Sequence, residues 1–144
     1  MAVTEAAKHY YEKMFPDNNS ELLKTDPEFA EFFANFVFDE VPGQNDLDEK
    51  TRFMAILATL LGCHGTEAFG DMMSAALNFG VTPIEIKEIV YQATAYLGIG
   101  RVLPFLKITN QVLAKKGISL PLSSQSTTTR ENRRQAGTQA QVDI

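Results

Sequence analysis

The chain reads as an all-α domain: about six amphipathic helices, a helical hairpin at their centre and an extended C-terminal arm. Three observations predict this. Apolar residues recur at three- and four-residue spacing from Phe53 to Leu113. The breaks between those stretches are short and built from glycine and proline. The sequence carries neither the two-residue alternation of a β-strand nor an internal repeat. With 144 residues, one domain can bury a core without covalent staples. Residues 1–117 read as that domain, and residues 118–144 as a polar extension or linker.

Each element has its own signal. Thr4 to Met14 is helical in pattern, with Thr4 as N-cap and Pro16 followed by DNNS as the stop. Asp26-Pro27-Glu28 starts a second helix, Asp26 as cap and Pro27 where a missing N–H costs nothing. It places Phe29, Phe32, Phe33 and Phe36 on one stripe, with Phe38 near its end. Such a stripe belongs in a core or a subunit interface, or lines an aromatic pocket. After VPGQND, Asp46 or Asp48 caps a third helix with Phe53, Ile56, Leu57, Leu60 and Leu61 on its apolar side. Gly62 and Gly65 bracket Cys63 and His64 in a tight turn. A fourth helix runs from about Thr66 to Phe79, and Gly80 suits the residue just past its end. Thr82-Pro83-Ile84-Glu85 is a capping box with proline at the first helical position, and that helix reaches about Leu97. Gly98 and Gly100 mark a break before a last core helix, Arg101 to Ala114, with Pro104 in its first turn. Beyond Lys115-Lys116-Gly117 the chain turns rich in Ser, Thr, Gln and Arg. It reads as a flexible tail or as an arm lying along a neighbouring surface, with a weak helical pattern after Thr129.

The net charge of −5 and pI of about 5.0 argue against nucleic acid or an anionic membrane as partner, since both need a basic face. A single cysteine excludes an internal disulfide and fits a reducing cytoplasm. MAVTEAAKHYYEK is too polar for a signal segment, and no apolar run approaches the roughly 18–20 residues of a membrane span. His9 and His64 stand far apart with no clustered carboxylates, so no metal site is expected. Gly98-Ile99-Gly100 is too short for a phosphate loop and follows a helix, not a strand. No cofactor is expected.

The stretch from about Leu47 to Leu113 resembles the carboxymuconolactone decarboxylase family, which includes the alkylhydroperoxidase D-like proteins. The resemblance rests on Leu47, Lys50, Thr51 and Arg52, then Ala76-Leu77-Asn78, Gly80-Val81-Thr82, Glu85-Ile86, Glu88-Ile89, Gln92, Tyr96 and Gly98. QSTTTRENR also resembles the linker of longer, tandem members, so the chain would match a first repeat plus linker. The resemblance implies an alkylhydroperoxidase D-like helical bundle and a homo-oligomer, trimer or hexamer. Peroxidase members use a Cys-x-x-Cys pair with a Glu and a His nearby; here Thr66 takes the place of the second cysteine. Decarboxylase members carry a Glu after the Thr-Arg pair and a His on the next helix. Those places fall on Phe53 and about Met72.

The chemistry that is left centres on few residues. Cys63 is the candidate nucleophile, because a helix N-terminus favours a thiolate; a small buried cysteine is the alternative. His64 beside it is the candidate base, or a solvent-facing turn residue. Glu88, Gln92 and Tyr96 follow one another at four-residue spacing, either lining a pocket for a polar ligand or forming a solvated face. Arg101 could anchor an acid or close a salt bridge. Glu85 is accounted for by its capping box, and Met54, Met72 and Met73 by core filling. Three functions follow. The first is a thiol-dependent peroxidase, an antioxidant oxidoreductase with peroxiredoxin activity, whose Cys63 is oxidised by a peroxide and reduced by an outside thiol. The second is a cofactor-free decarboxylase of a small lactone or keto acid using His64 and Arg101. The third is a non-catalytic oligomeric ligand-binding scaffold.

Overall fold

A computed structural model describes residues 2–16, 21–44 and 46–143 of the chain. Every regular element among them is helical. They are α1 (Glu5–Met14), α2 (Leu22–Thr25), α3 (Pro27–Asn35), a π-helical segment (Phe36–Glu40), α4 (Val41–Gly43), α5 (Glu49–Gly62), α6 (Thr66–Asn78), α7 (Pro83–Leu97), α8 (Ile99–Lys115) and α9 (Arg133–Val142). Asp17–Ser20 of the expected α1 stop, and Asn45 of the loop before α5, lie outside the described residues. No helix of the described residues is long and apolar enough to cross a membrane.

The starts of three helices follow from side-chain caps. Thr4 accepts the Ala7 amide at 3.1 Å, and Asp48, not Asp46, accepts the Thr51 amide at 2.9 Å. Thr82 and Glu85 form the full box, with the Glu85 amide on the Thr82 hydroxyl at 3.2 Å and the Thr82 amide on the Glu85 carboxylate at 2.8 Å. Asp26 departs from expectation. It precedes α3, but its carboxylate accepts the Thr25 hydroxyl at 2.7 Å and caps no amide.

The core lies among α5, α6, α7 and α8, which pack on one another, while α1 packs on α6 and the π-helical segment. Phe53, Leu57, Phe69, Met73, Ile86 and Phe105 fill it and are all but inaccessible. Burying each side chain of that size contributes roughly 1.5–3 kcal/mol. Phe69 meets Phe105 edge-on at 5.2 Å, tying α6 to α8.

The structure narrows two open expectations, on the α3 stripe and on the arm, and corrects one, on the break after α7. The aromatic stripe of α3 does not enter the core: Phe29, Phe32, Phe33 and Phe36 are 44–59% exposed, and only Phe38 is buried. The break after α7 is narrower than expected. Gly98 alone leaves the helix, at φ 78°, while Gly100 is inside α8. Pro104 therefore lies within α8, not in its first turn. Finally, the arm carries a helix where the weak pattern after Thr129 suggested one. Residues 120–126 lie against α7 and α8 of the same chain, and α9 forms with no buried residue.

Candidate functional site

Cys63 and His64 sit between α5 and α6. Cys63 ends α5, and His64 follows it with φ 61°. The His64 amide donates to Leu61 O at 3.2 Å and the Gly65 amide to Leu60 O at 2.9 Å. Those two bonds define a Schellman closure, whose left-handed residue is usually glycine. Histidine in that conformation costs roughly 1 kcal/mol. The Cys63 thiol is exposed, which corrects the buried alternative. Its Sγ–H donates to Leu60 O at 3.6 Å, so one carbonyl takes two donors. The thiol thus stands at the carbonyl end of α5, and α6 begins only at Thr66.

Gln92 and Tyr96 line a shallow groove of about 260 Å³ between the C-terminal halves of α5 and α7. The opposite wall includes Leu61 and Gly62, the residues just before Cys63. Thiol turn and groove therefore share one end of the bundle, with Tyr96 86% exposed. Arg101, exposed in the first turn of α8, follows shortly after Leu97 at that same end. Glu88 is separated from this group. It lines a second groove, between α7 and the arm. The reason is helical pitch: at 3.6 residues per turn, each four-residue step drifts by roughly 40°. Glu88, Gln92 and Tyr96 consequently do not face one cavity.

Phe53 and Met72, where the resemblance implies a Glu and about where it implies a His, are both apolar. Phe53 is 1% exposed and packs on Phe79 with ring centres 4.6 Å apart. Met72 is half-buried on the wall of an apolar cavity of about 340 Å³ between α1, α2, α3 and α6. Ala7, Tyr11, Phe33 and Phe38 also line it, together with the polar Lys8 and Asp71.

Two polar clusters were not legible in the chain. The Tyr10 hydroxyl donates to the Glu49 carboxylate, and Arg52 approaches the same carboxylate at 3.6 Å. Burial, then the hydrogen bond and charge of Glu49, push the Tyr10 phenol well above its usual range. Lys50 meets Glu85 at 2.7 Å, linking the starts of α5 and α7. That ammonium, with the Thr82 amide, holds the Glu85 carboxyl at about 2. No sequence signal joins Tyr10 to Glu49, 39 positions apart. Among the described residues no group of His, Cys, Asp and Glu could hold a metal ion, and His9 is exposed.

Comparison with known proteins accords with these helices. The profile of the carboxymuconolactone decarboxylase family matches residues 27–111, which spans α3 to most of α8. The chain is also similar to a 4-carboxymuconolactone decarboxylase of Acinetobacter baylyi (strain ATCC 33305 / BD413 / ADP1). The two are 26% identical over 92 residues, covering 64% of this chain and 69% of the relative.

Proposed function

The chain belongs to the carboxymuconolactone decarboxylase family, and from that premise we propose that it is an oligomeric small-molecule-binding scaffold without the family's proton-transfer chemistry. One observation carries the reading: side chains that cannot move a proton stand at Phe53 and at about Met72, where the resemblance implies the Glu and His of the decarboxylases. Phe53 is sealed against Phe79 at 4.6 Å, and Met72 faces an apolar cavity of about 340 Å³. General acid–base catalysis needs a titratable group within hydrogen-bond reach of the reacting atom, and neither a benzyl group nor a thioether is one. The cavity volume instead suits a small apolar ligand. The exposed rings of Phe29, Phe32 and Phe36 support burial against sister subunits, since contiguous apolar surface of this kind marks interaction sites. A trimer or hexamer in a reducing cytoplasm completes the proposal.

The test has two arms. In turnover assays, 4-carboxymuconolactone and hydrogen peroxide are expected to be consumed no faster than in buffer. In fluorescence titration, 1-naphthol is expected to bind the native protein and to lose at least about tenfold in affinity in Met72→Trp, which fills the cavity. Lactone turnover that falls in Phe53→Ala or Met72→Ala would overturn the proposal.

A second reading is favoured by the exposure of Cys63 beside the Gln92–Tyr96 groove. The Cys63 thiolate would attack the O–O bond of a hydroperoxide, forming Cys–SOH and releasing an alcohol once the leaving alkoxide takes a proton. One external thiol would condense with the sulfenic acid and release water, and a second would reduce the resulting mixed disulfide. Dimedone labelling of Cys63 after hydroperoxide treatment tests it, and an unlabelled thiol rejects it. The decarboxylase reading has less support, because His64 and Arg101 line none of the three cavities described.

A further inference from the structure

The groove between α7 and the C-terminal arm has a volume of about 630 Å³, within the range of small-molecule sites. One wall is α7, with Lys87, Glu88 and Tyr91; the other is residues 120–126 of the arm. Lys87 is only 9% exposed. Its ammonium donates to Asn110 Oδ1 at 2.6 Å and lies 5.6 Å from the centre of the Tyr91 ring. Among the described residues it forms no ion pair. A charge withdrawn from water needs compensation. Lys87 has three donors, and Asn110 takes one of them.

Glu88 lines the same groove, exposed and likewise outside any ion pair among the described residues. The arm adds a hydroxyl. Ser123 Oγ accepts from Gln125 Nε2 at 3.2 Å, which leaves its O–H to donate, whereas the Ser126 O–H is committed to Thr128 O at 2.9 Å. Ile84, Leu120 and Leu122 give the groove an apolar floor.

The groove thus offers a cation and an anion that do not pair with each other, beside an apolar patch. A dianion such as phosphate meets repulsion from Glu88. A simple carboxylic acid leaves Glu88 unanswered, and a simple amine leaves Lys87 unanswered. We propose that this groove binds a free zwitterionic α-amino acid with an apolar side chain. Its carboxylate lies on Lys87 and Ser123, its ammonium on Glu88, and its side chain against Tyr91 and Leu122. This site is separate from the apolar cavity and stands whether or not that cavity is occupied.

The experiment is calorimetric titration of the full chain with L-leucine, 4-methylpentanoate (which lacks the ammonium) and isopentylamine (which lacks the carboxylate). Leucine is expected to bind, and each truncated analogue to bind at least about tenfold more weakly, the scale of losing one charge partner. Lys87→Met and Glu88→Gln should each weaken leucine at least about tenfold with unchanged far-UV circular dichroism. Glu88→Gln should leave 4-methylpentanoate as it was or tighten it, which separates recognition of the ammonium from loss of fold. Three results would overturn the proposal: no heat from leucine at millimolar concentration, 4-methylpentanoate binding as tightly as leucine, or leucine binding unaltered by Glu88→Gln.

Discussion

The turn between α6 and α7 and the turn between α5 and α6 close with the same pair of hydrogen bonds but carry different residues at the left-handed position. After α6, Val81 bonds back to Ala76 at 3.0 Å and Gly80 to Leu77 at 3.3 Å, with Gly80 at φ 89°. After α5, the equivalent bonds run from Gly65 to Leu60 and from His64 to Leu61, with His64 at φ 61°. Glycine takes that conformation freely, and histidine does so at a cost of roughly 1 kcal/mol. Yet the unstrained turn leads into a helix with a full capping box, while the strained one leads into α6, whose Gly65 cap has no side chain to offer. Strain and weak capping coincide at the exposed thiol. Backbone strain of this kind concentrates at functional positions, so the contrast can be tested by exchanging the features of the two turns.

The largest effect is expected from Gly80→Ala, which forces a Cβ into the left-handed region and should lower unfolding free energy by about 1–2 kcal/mol in urea titration. Thr82→Ala should cost about 1 kcal/mol by the same measurement, the usual loss for a removed cap. The partner of that cap gives the turn a pH signature. The Glu85 carboxyl is lowered from 4.5 to about 2, so its stabilisation is complete above about 4.5 and disappears as pH falls through about 2. Glu85→Gln should therefore lower Tm at neutral pH and flatten the acid limb of the Tm profile. His64→Gly should move the opposite way, raising stability by roughly 0.5–1 kcal/mol, with no change in the acid limb. If His64 assists the thiol, alkylation of Cys63 by iodoacetamide will slow in that variant; the scaffold reading expects the rate to hold. Cys63→Ala should be the quietest, within about 0.5 kcal/mol of the native chain, because the thiol is exposed and, among the described residues, bonds to a carbonyl that keeps its amide donor.

What the chain disclosed in advance was local. Thr4 and the Thr82–Glu85 box act over three residues, so residue type and spacing suffice to place them, whereas spacing left Asp46 and Asp48 as equal candidates for the cap of α5. Gly80 was legible because a periodic stretch stops beside the residue that favours positive φ. The conformation of His64 was not legible, since nothing in its neighbours distinguishes a left-handed histidine from an ordinary turn residue. Long-range placement was equally hidden. Lys87 is enclosed because α8 contributes Asn110, 23 positions away, and the arm folds back over the groove. Glu88, Gln92 and Tyr96 looked like one face at four-residue spacing, and the drift of the helix distributed them between two grooves. The stripe on α3 was correct as a pattern, but a pattern of aromatic residues does not say whether the partner is this chain or another.

The stripe ends where the chain winds wider, from Phe36 to Glu40. Phe38 lies inward among Tyr10, Tyr11 and Phe33, at 5.7–6.1 Å between ring centres, while Phe36, two residues earlier and so on the opposite side of the helix, stays 58% exposed. Two neighbouring rings of identical chemistry thus take opposite duties. What divides the buried ring from the exposed one is therefore angular position on the helix, not composition.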